Sequence, residues 1–274
     1  MVLTAMLGIS VTAPAQSTLG PERRDIGNFG GDIWSAWTSP AGMRRRDLLS
    51  TAAALGAAAL TSRIDSAGYV WMRTHERTFA MRLLAPTREG ARFSPYEMGS
   101  GQYLLPFSGV LYVAGRLSHS VNLRDAGLGC AAGHLASMGL RQVAFRAVTR
   151  SRPTVTADPF DISIPGTSDW SKESFYSGHI SNSMACASFL THRYSLGLAE
   201  PIPYVYSVAI GLGRLADGHH WASDMFIGGV IGFAVGKAIA ERQLHREAPP
   251  AEAGAPRPQR ANWQIPVVQW SIVF

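Results

Sequence analysis

Between Met43 and Gln243 the chain places apolar residues three and four apart, segment after segment, and seldom alternates β-branched residues with polar ones. Segments of that period each bury one stripe, and a chain built from them closes by packing helix on helix. The expected fold class is therefore all-α, a helical bundle. Its helices fall at 47–62, 67–85, 104–117, 123–149, 178–194, 201–215 and 219–243. Pro86 and the Gly-rich stretch 89–101 interrupt the pattern once. A long polar loop from Pro153 to Ser174, holding Pro159, Pro165 and Gly166, interrupts it again. Loops of that length inside compact domains usually serve a function.

The flanks differ in composition. Residues 17–42 are rich in Gly, Ser and Pro and suit an irregular arm, and 247–262 suit an Ala/Pro linker. Val268, Trp270, Ile272 and Phe274 share one side of a strand-like C-terminal tail. The expected organisation is an export segment and arm over 1–42, a helical domain over 43–245, and a linker with tail over 246–274. Met1–Gln16 is apolar and ends in Ala13-Pro14-Ala15, similar to a small-residue cleavage site. Arg44-Arg45-Arg46-Asp47-Leu48-Leu49 resembles a twin-arginine signal, although the same residues suit the start of an ordinary helix. Both signals point to export, into the periplasm or cell envelope.

Of the 274 residues, 46% are hydrophobic and only 16% charged, which excludes a disordered chain and raises the question of a membrane. The longest uncharged runs, Met98–Gly115 and Ser174–His192, are diluted by Ser, Gly, Asn, His or Pro. The cleanest apolar runs, Ser50–Ser62 and Met225–Gly236, are too short to cross a bilayer upright. A globular bundle with at most peripheral membrane association is expected, with an embedded bundle as the rival. The net charge is +6, and Lys172 and Lys237 are the only lysines, so arginine carries the basic excess. Arginine pairs with oxyanions in two-pronged fashion, while composition bias accounts for most of these residues. Apart from Arg44-Arg45-Arg46 no basic run is present, nor any aromatic–basic stripe, and no nucleic-acid partner is expected. Cys130 and Cys186 lie among small residues on helical segments; buried free thiols are expected, with one helix-to-helix bridge as the alternative.

Three short segments set polar groups into otherwise apolar helices: Arg150-Ser151-Arg152-Pro153, Ser177-Gly178-His179, and Arg214 through His220 to Asp224. His220 and Asp224 are four apart and share a helix face, so the carboxylate can fix the imidazole tautomer. Ser177 can cap the next helix, Gly178 admits close approach, and the free N–H groups of that first turn attract an anion. His179 stands beside that anion, and Arg152 and Arg214 can bracket it. Two arginines, helix-start amides and two histidines describe a site for a phosphate in transfer. The competing assignment makes His179, His219, His220 and Asp224 metal ligands, but two arginines at the same point would repel a cation.

In order and spacing these segments resemble the phosphatidic acid phosphatase type 2 (PAP2) superfamily. It includes bacterial non-specific acid phosphatases, lipid phosphate phosphatases and vanadium haloperoxidases. The family motifs are K-x6-R-P, P-S-G-H and S-R-x5-H-x3-D. Here they read Phe145-x6-Arg152-Pro153, Tyr176-Ser177-Gly178-His179 and Gly213-Arg214-x5-His220-x3-Asp224. The resemblance implies a helical bundle of the PAP2/haloperoxidase type. It implies a phosphatase for phosphate monoesters or lipid (di)phosphates, in which His220 is the nucleophile, Asp224 orients it, and His179 protonates the leaving group. Arg152, Arg214, Ser177 and Gly178 would hold the phosphate, and neither a metal nor a cofactor is implied. The departures are Tyr176 for proline, Gly213 for serine and, above all, Phe145 for the lysine that touches phosphate. Arg141, one turn back on the same face, or Arg146, about 100° away, could substitute, or nothing could. Two alternatives stand beside the phosphatase: a vanadium haloperoxidase, against which the missing lysine counts, and a catalytically impaired envelope or binding protein, which Phe145 motivates.

Overall fold

The computed structural model describes residues 21–42, 44–75, 78–79, 99–166, 169–247 and 261–262. Its helices in chain order are α1 (Pro21–Thr38), α2 (Arg45–Thr61), α3 (Asp65–Thr74), α4 (Gly101–Leu117), α5 (Val121–Ala147), α6 (Gly178–Arg193), α7 (Pro201–Ala216) and α8 (Ala222–Glu247). The fold is all-α, as the periodicity predicts. Residues 1–16, 80–98 and 263–274 lie outside the described set, and with them the apolar leader, Pro86 and the alternating tail.

The centre of the bundle is α6, which packs against α5, α7 and α8. Its contact with α8 depends on a row of glycines four residues apart. A Cβ on Gly228, Gly232 or Gly236 would run into the α6 backbone at Ser177, Ser181 and Ala185 respectively. The two backbones therefore nearly touch along two helical turns. Around that seam the core is built mostly of small and medium side chains: Ala126, Ala132 and Ala136 from α5, Ala185 and Phe189 from α6, and Val235 and Ile239 from α8. Helices this close bring Cys130 and Cys186 to a Cα separation of 4.4 Å, and the two form a disulfide joining α5 to α6. The buried free thiols expected from sequence are thus corrected to the bridge.

Of the irregular arm expected over 17–42, the described residues 21–42 are helical. Pro21 opens α1, and what holds the helix despite Gly27, Gly30 and Gly31 is tertiary. Buried Asp32 accepts hydrogen bonds from Arg242, Gln243 and Arg246 of α8. Asp25 receives Tyr112 Oη from α4, and Trp37 Nε1 donates to the Ala136 carbonyl of α5. At the twin-arginine segment, Asp47 accepts the Arg44 N–H at 2.8 Å and closes the start of α2. The Pro153–Ser174 loop is less irregular and less polar than expected. Thr149–Arg150 (β1) pairs antiparallel with Ile162–Ser163 (β2), a 3-10 turn covers Trp170–Lys172, and Phe160, Ile164 and Trp170 are exposed. After α6, Tyr194–Ser195 (β3) pairs in parallel with Ala261–Asn262 (β4). Helix α8 extends past the short apolar run read from the sequence; by length and composition its 26 residues could cross a membrane, and 44% of its most apolar window is buried in the bundle.

Candidate active site

Three helix ends meet at one point. α5 delivers the chain into Arg150 and Arg152, α6 begins at Gly178, the last turn of α7 carries Arg214, and the turn from α7 to α8 carries His219 and His220. The turn depends on Gly218, whose φ of 69° lies in the left-handed region that glycine enters without strain.

His220 is buried, and its Nδ1 donates to the Ser174 carbonyl at 2.7 Å. In the neutral ring this leaves Nε2 as the nitrogen with the free lone pair. Burial, together with the Arg214 and Arg141 guanidinium groups, holds His220 well below the usual histidine range, against the opposing pull of the Ser174 bond. His179, in the first turn of α6, is lowered in the same way by burial, then by Arg214, Arg141, His219 and Arg152.

The direct His220–Asp224 pairing expected from the four-residue spacing is replaced by an indirect one. One Asp224 oxygen receives Arg150 Nη1 at 2.7 Å; the other receives Ser174 Oγ at 2.6 Å and the Trp221 N–H at 3.0 Å. The last bond is a reach-back to the residue before α8, the common use of an acidic side chain three positions into a helix. Asp224 therefore acts on His220 through Ser174, fixing the residue whose carbonyl holds the imidazole. Its burial raises its pKa, with Arg150, Ser174 and Trp221 opposing. Both oxygens being engaged, Asp224 is also poorly disposed as the metal ligand considered above.

Behind this lies a layer that sequence reasoning missed. Arg150 bridges Asp224 and Asp65 of α3, each at 2.7 Å, and also donates to Ser223 Oγ and the Pro159 carbonyl. Asp65 in turn accepts the Ser223 N–H and hydroxyl at the start of α8. Arg150 sits in a segment the sequence singles out, but nothing marks Asp65, 85 residues away in the chain from Arg150.

Arg152, Ser177 and Gly178, the residues expected to hold an anion, lie at the same helix ends. Arg152 donates Nε to the Trp170 carbonyl and Nη1 to His219 Nδ1, and its guanidinium lies 4.0 Å over the Trp170 ring. Burial and the nearby Arg214 lower its pKa to about 10, so it stays charged at neutral pH. Ser177, fully buried ahead of α6, has no hydrogen-bond partner for its Oγ, while its N–H reaches the Asp224 carbonyl. Gly178 follows with its Cα face against the Arg141 side chain. Of the two candidates to replace the motif lysine, Arg146 is exposed and donates back to Gln142. Arg141 is in the site.

What converges here is an imidazole with one free nitrogen, a second imidazole, several arginines and an orphaned hydroxyl at a helix start. The PAP2 superfamily model matches residues 127–246. No curated protein and no solved structure matches the chain. The matched stretch runs from α5 into α8 and takes in all three motif segments. Over residues 127–246, a little under half of its length, the chain is similar to the PAP2 superfamily.

Proposed function

We propose that this protein is an exported, metal-independent phosphatase that works through a phosphohistidine on His220. The observation that carries this reading is the bond from His220 Nδ1 to the Ser174 carbonyl, which fixes a nucleophilic Nε2 among arginine cations. In the first step Nε2 attacks phosphorus, an N–P bond forms, and the P–O bond to the leaving group breaks. His179 gives its proton to the departing oxygen. Water then attacks the phosphohistidine, His179 takes a proton from it, and inorganic phosphate leaves with His220 restored. Arg152, Arg214, the Ser177 hydroxyl and the Gly178 N–H stabilise the charge on the non-bridging oxygens throughout. Asp224 keeps Ser174, and so the ring, in place.

The substrate class is a phosphate monoester or a lipid phosphate or diphosphate. An apolar groove of about 670 Å³ beside the helix starts, lined by Ile180, Leu215, Ala222 and Met225 among others, is the feature that puts lipid phosphates in the test panel. Purified protein should hydrolyse an aryl phosphate in the presence of chelator, with inhibition by vanadate, and His220→Ala should abolish turnover. Activity retained in that variant overturns the mechanism. A halide-oxidation assay with vanadate and peroxide separates this reading from haloperoxidation, and phosphate binding without turnover would instead indicate the impaired binding protein.

A further inference from the structure

The motif segments bring Arg152 and Arg214 to the site, and a third cation reaches the same point from α5, one turn before the motif position that Phe145 occupies. Arg141 leaves α5 one turn before Phe145, and its guanidinium lies 3.9 Å over the Phe145 ring. Its Nε donates to the Tyr176 carbonyl at 3.1 Å, the residue before Ser177. From there the side chain passes over Gly178: a Cβ at that position would stand 2.9 Å from Arg141 Cδ and 3.0 Å from Nε. Only glycine leaves room for this path, so the small residue at the start of α6 serves the arginine as well as an incoming anion. The charge of Arg141 acts on His179, His220, Arg152 and Arg214. With Nε committed to Tyr176, the two Nη groups are the donors left for an oxyanion.

We propose that Arg141 is a phosphate-binding residue of this site, with Phe145 as the aromatic platform that aims it across the start of α6. The observations argue for a ligand-directed cation over a structural one. Among the described residues three arginines crowd two histidines, and the acidic groups whose charges bear on Arg141 and Arg152 are the Glu173 carboxylate and, on Arg141, the Tyr176 phenol. Crowding of like charges opposes folding, and a bound dianion relieves it. Phe145 then marks a relocation of the cation by one turn, from 145 to 141, and not the loss of it. Stacking of a guanidinium on an aromatic face suits arginine better than lysine, which is why the pair must change together.

This inference rests on the phosphatase reading, and the test keeps the two apart. Inorganic phosphate is the probe, its dissociation constant measured by calorimetry and its competitive inhibition constant against aryl phosphate. Arg141→Gln removes the charge and retains a donor for the Tyr176 carbonyl. Phosphate binding should weaken by about tenfold to a hundredfold, the cost of one charge-assisted contact. Adding Phe145→Lys to Arg141→Gln should recover about tenfold, because a lysine one turn on restores a cation to the same helix face. Should Arg141→Gln fold poorly, Arg141→Lys serves instead, with weaker binding expected since lysine lacks the planar fork. A folded Arg141→Gln protein, or a folded Arg141→Lys protein in its place, that binds phosphate as tightly as wild type overturns the assignment alone. Wild-type protein that binds no phosphate overturns the phosphatase reading, and this inference with it.

Discussion

At the scale of single residues the site is governed by where protons and hydrogen bonds can go. Both histidines are driven toward the neutral form by burial and by arginines. Neutrality suits His220, whose lone pair must be free, and opposes the role proposed for His179, which must carry a proton to the leaving group. A bound phosphate dianion restores His179 by placing negative charge beside it. In the free enzyme the protonated fraction of His179 falls as pH rises above its lowered pKa. The profile of kcat/KM against pH should therefore have its falling limb on the acid side of 6.5, where an ordinary histidine titrates, and kcat, read on the bound enzyme, should fall at higher pH than kcat/KM. A kcat/KM limb at or above 7 would contradict this assignment of the acid. The sequence makes the identities of His179, His220, Arg152 and Arg214 legible, because their spacing along helix ends is a local property. It misassigns the partner of His220, since a four-residue spacing permits a contact without choosing it over a helix-start amide and a buried guanidinium.

At the scale of elements, the decisive contact is the glycine row of α8 against α6. Gly228, Gly232 and Gly236 let the two backbones approach until Ser177, at the head of the site, lies directly over α8. That closeness allows the Ser177 N–H to meet the Asp224 carbonyl. Gly232→Ala puts a methyl group into the Ser181 carbonyl, and the helices must separate. The variant should lose about 1–3 kcal/mol of stability, the usual cost of overpacking, measured by denaturant unfolding with an unchanged slope. Its kcat should fall in a folded sample, because the same separation moves Ser177 and Gly178 away from His220. An unchanged midpoint would show that the seam relaxes freely. Periodicity places the helices from Gly101 to Glu247 within a few residues, while the one expected over 67–85 ends at Thr74, with 80–85 outside the described residues. The seam is not predicted, because a glycine in a helical pattern reads only as a weak helix former until its neighbour is known. For the same reason α1 reads as an irregular arm: its glycines argue against a helix, and the ion pairs of Asp32 with distant arginines decide for one.

At the scale of the whole molecule, the site is fastened to parts of the chain outside the PAP2 match. Asp65, on α3, holds Arg150 and Ser223 in a fully buried network that ends at Asp224, Ser174 and His220. Asp65→Ala leaves a buried guanidinium with one carboxylate instead of two and strips the Ser223 N–H of its acceptor. A loss of about 3–5 kcal/mol is expected for breaking such a pair, read as a lowered unfolding midpoint, whereas Asp65→Asn, which keeps an acceptor, should cost less. Equal stability of Asp65→Ala and wild type would show the network to be incidental. Inside the matched stretch the disulfide joins α5, which carries Arg141, to α6, which carries His179. The sequence alone determined the helical class and the order of the helices, and it marked the polar segments that meet at the helix ends, since all three follow from local period and spacing. Tertiary structure alone decided which carboxylate, carbonyl and guanidinium act on each histidine, whether the two cysteines meet, and which arginine of α5 lies across the start of α6. Those outcomes depend on which helix faces approach within a few ångströms, and that distance is set by packing between residues far apart in the chain.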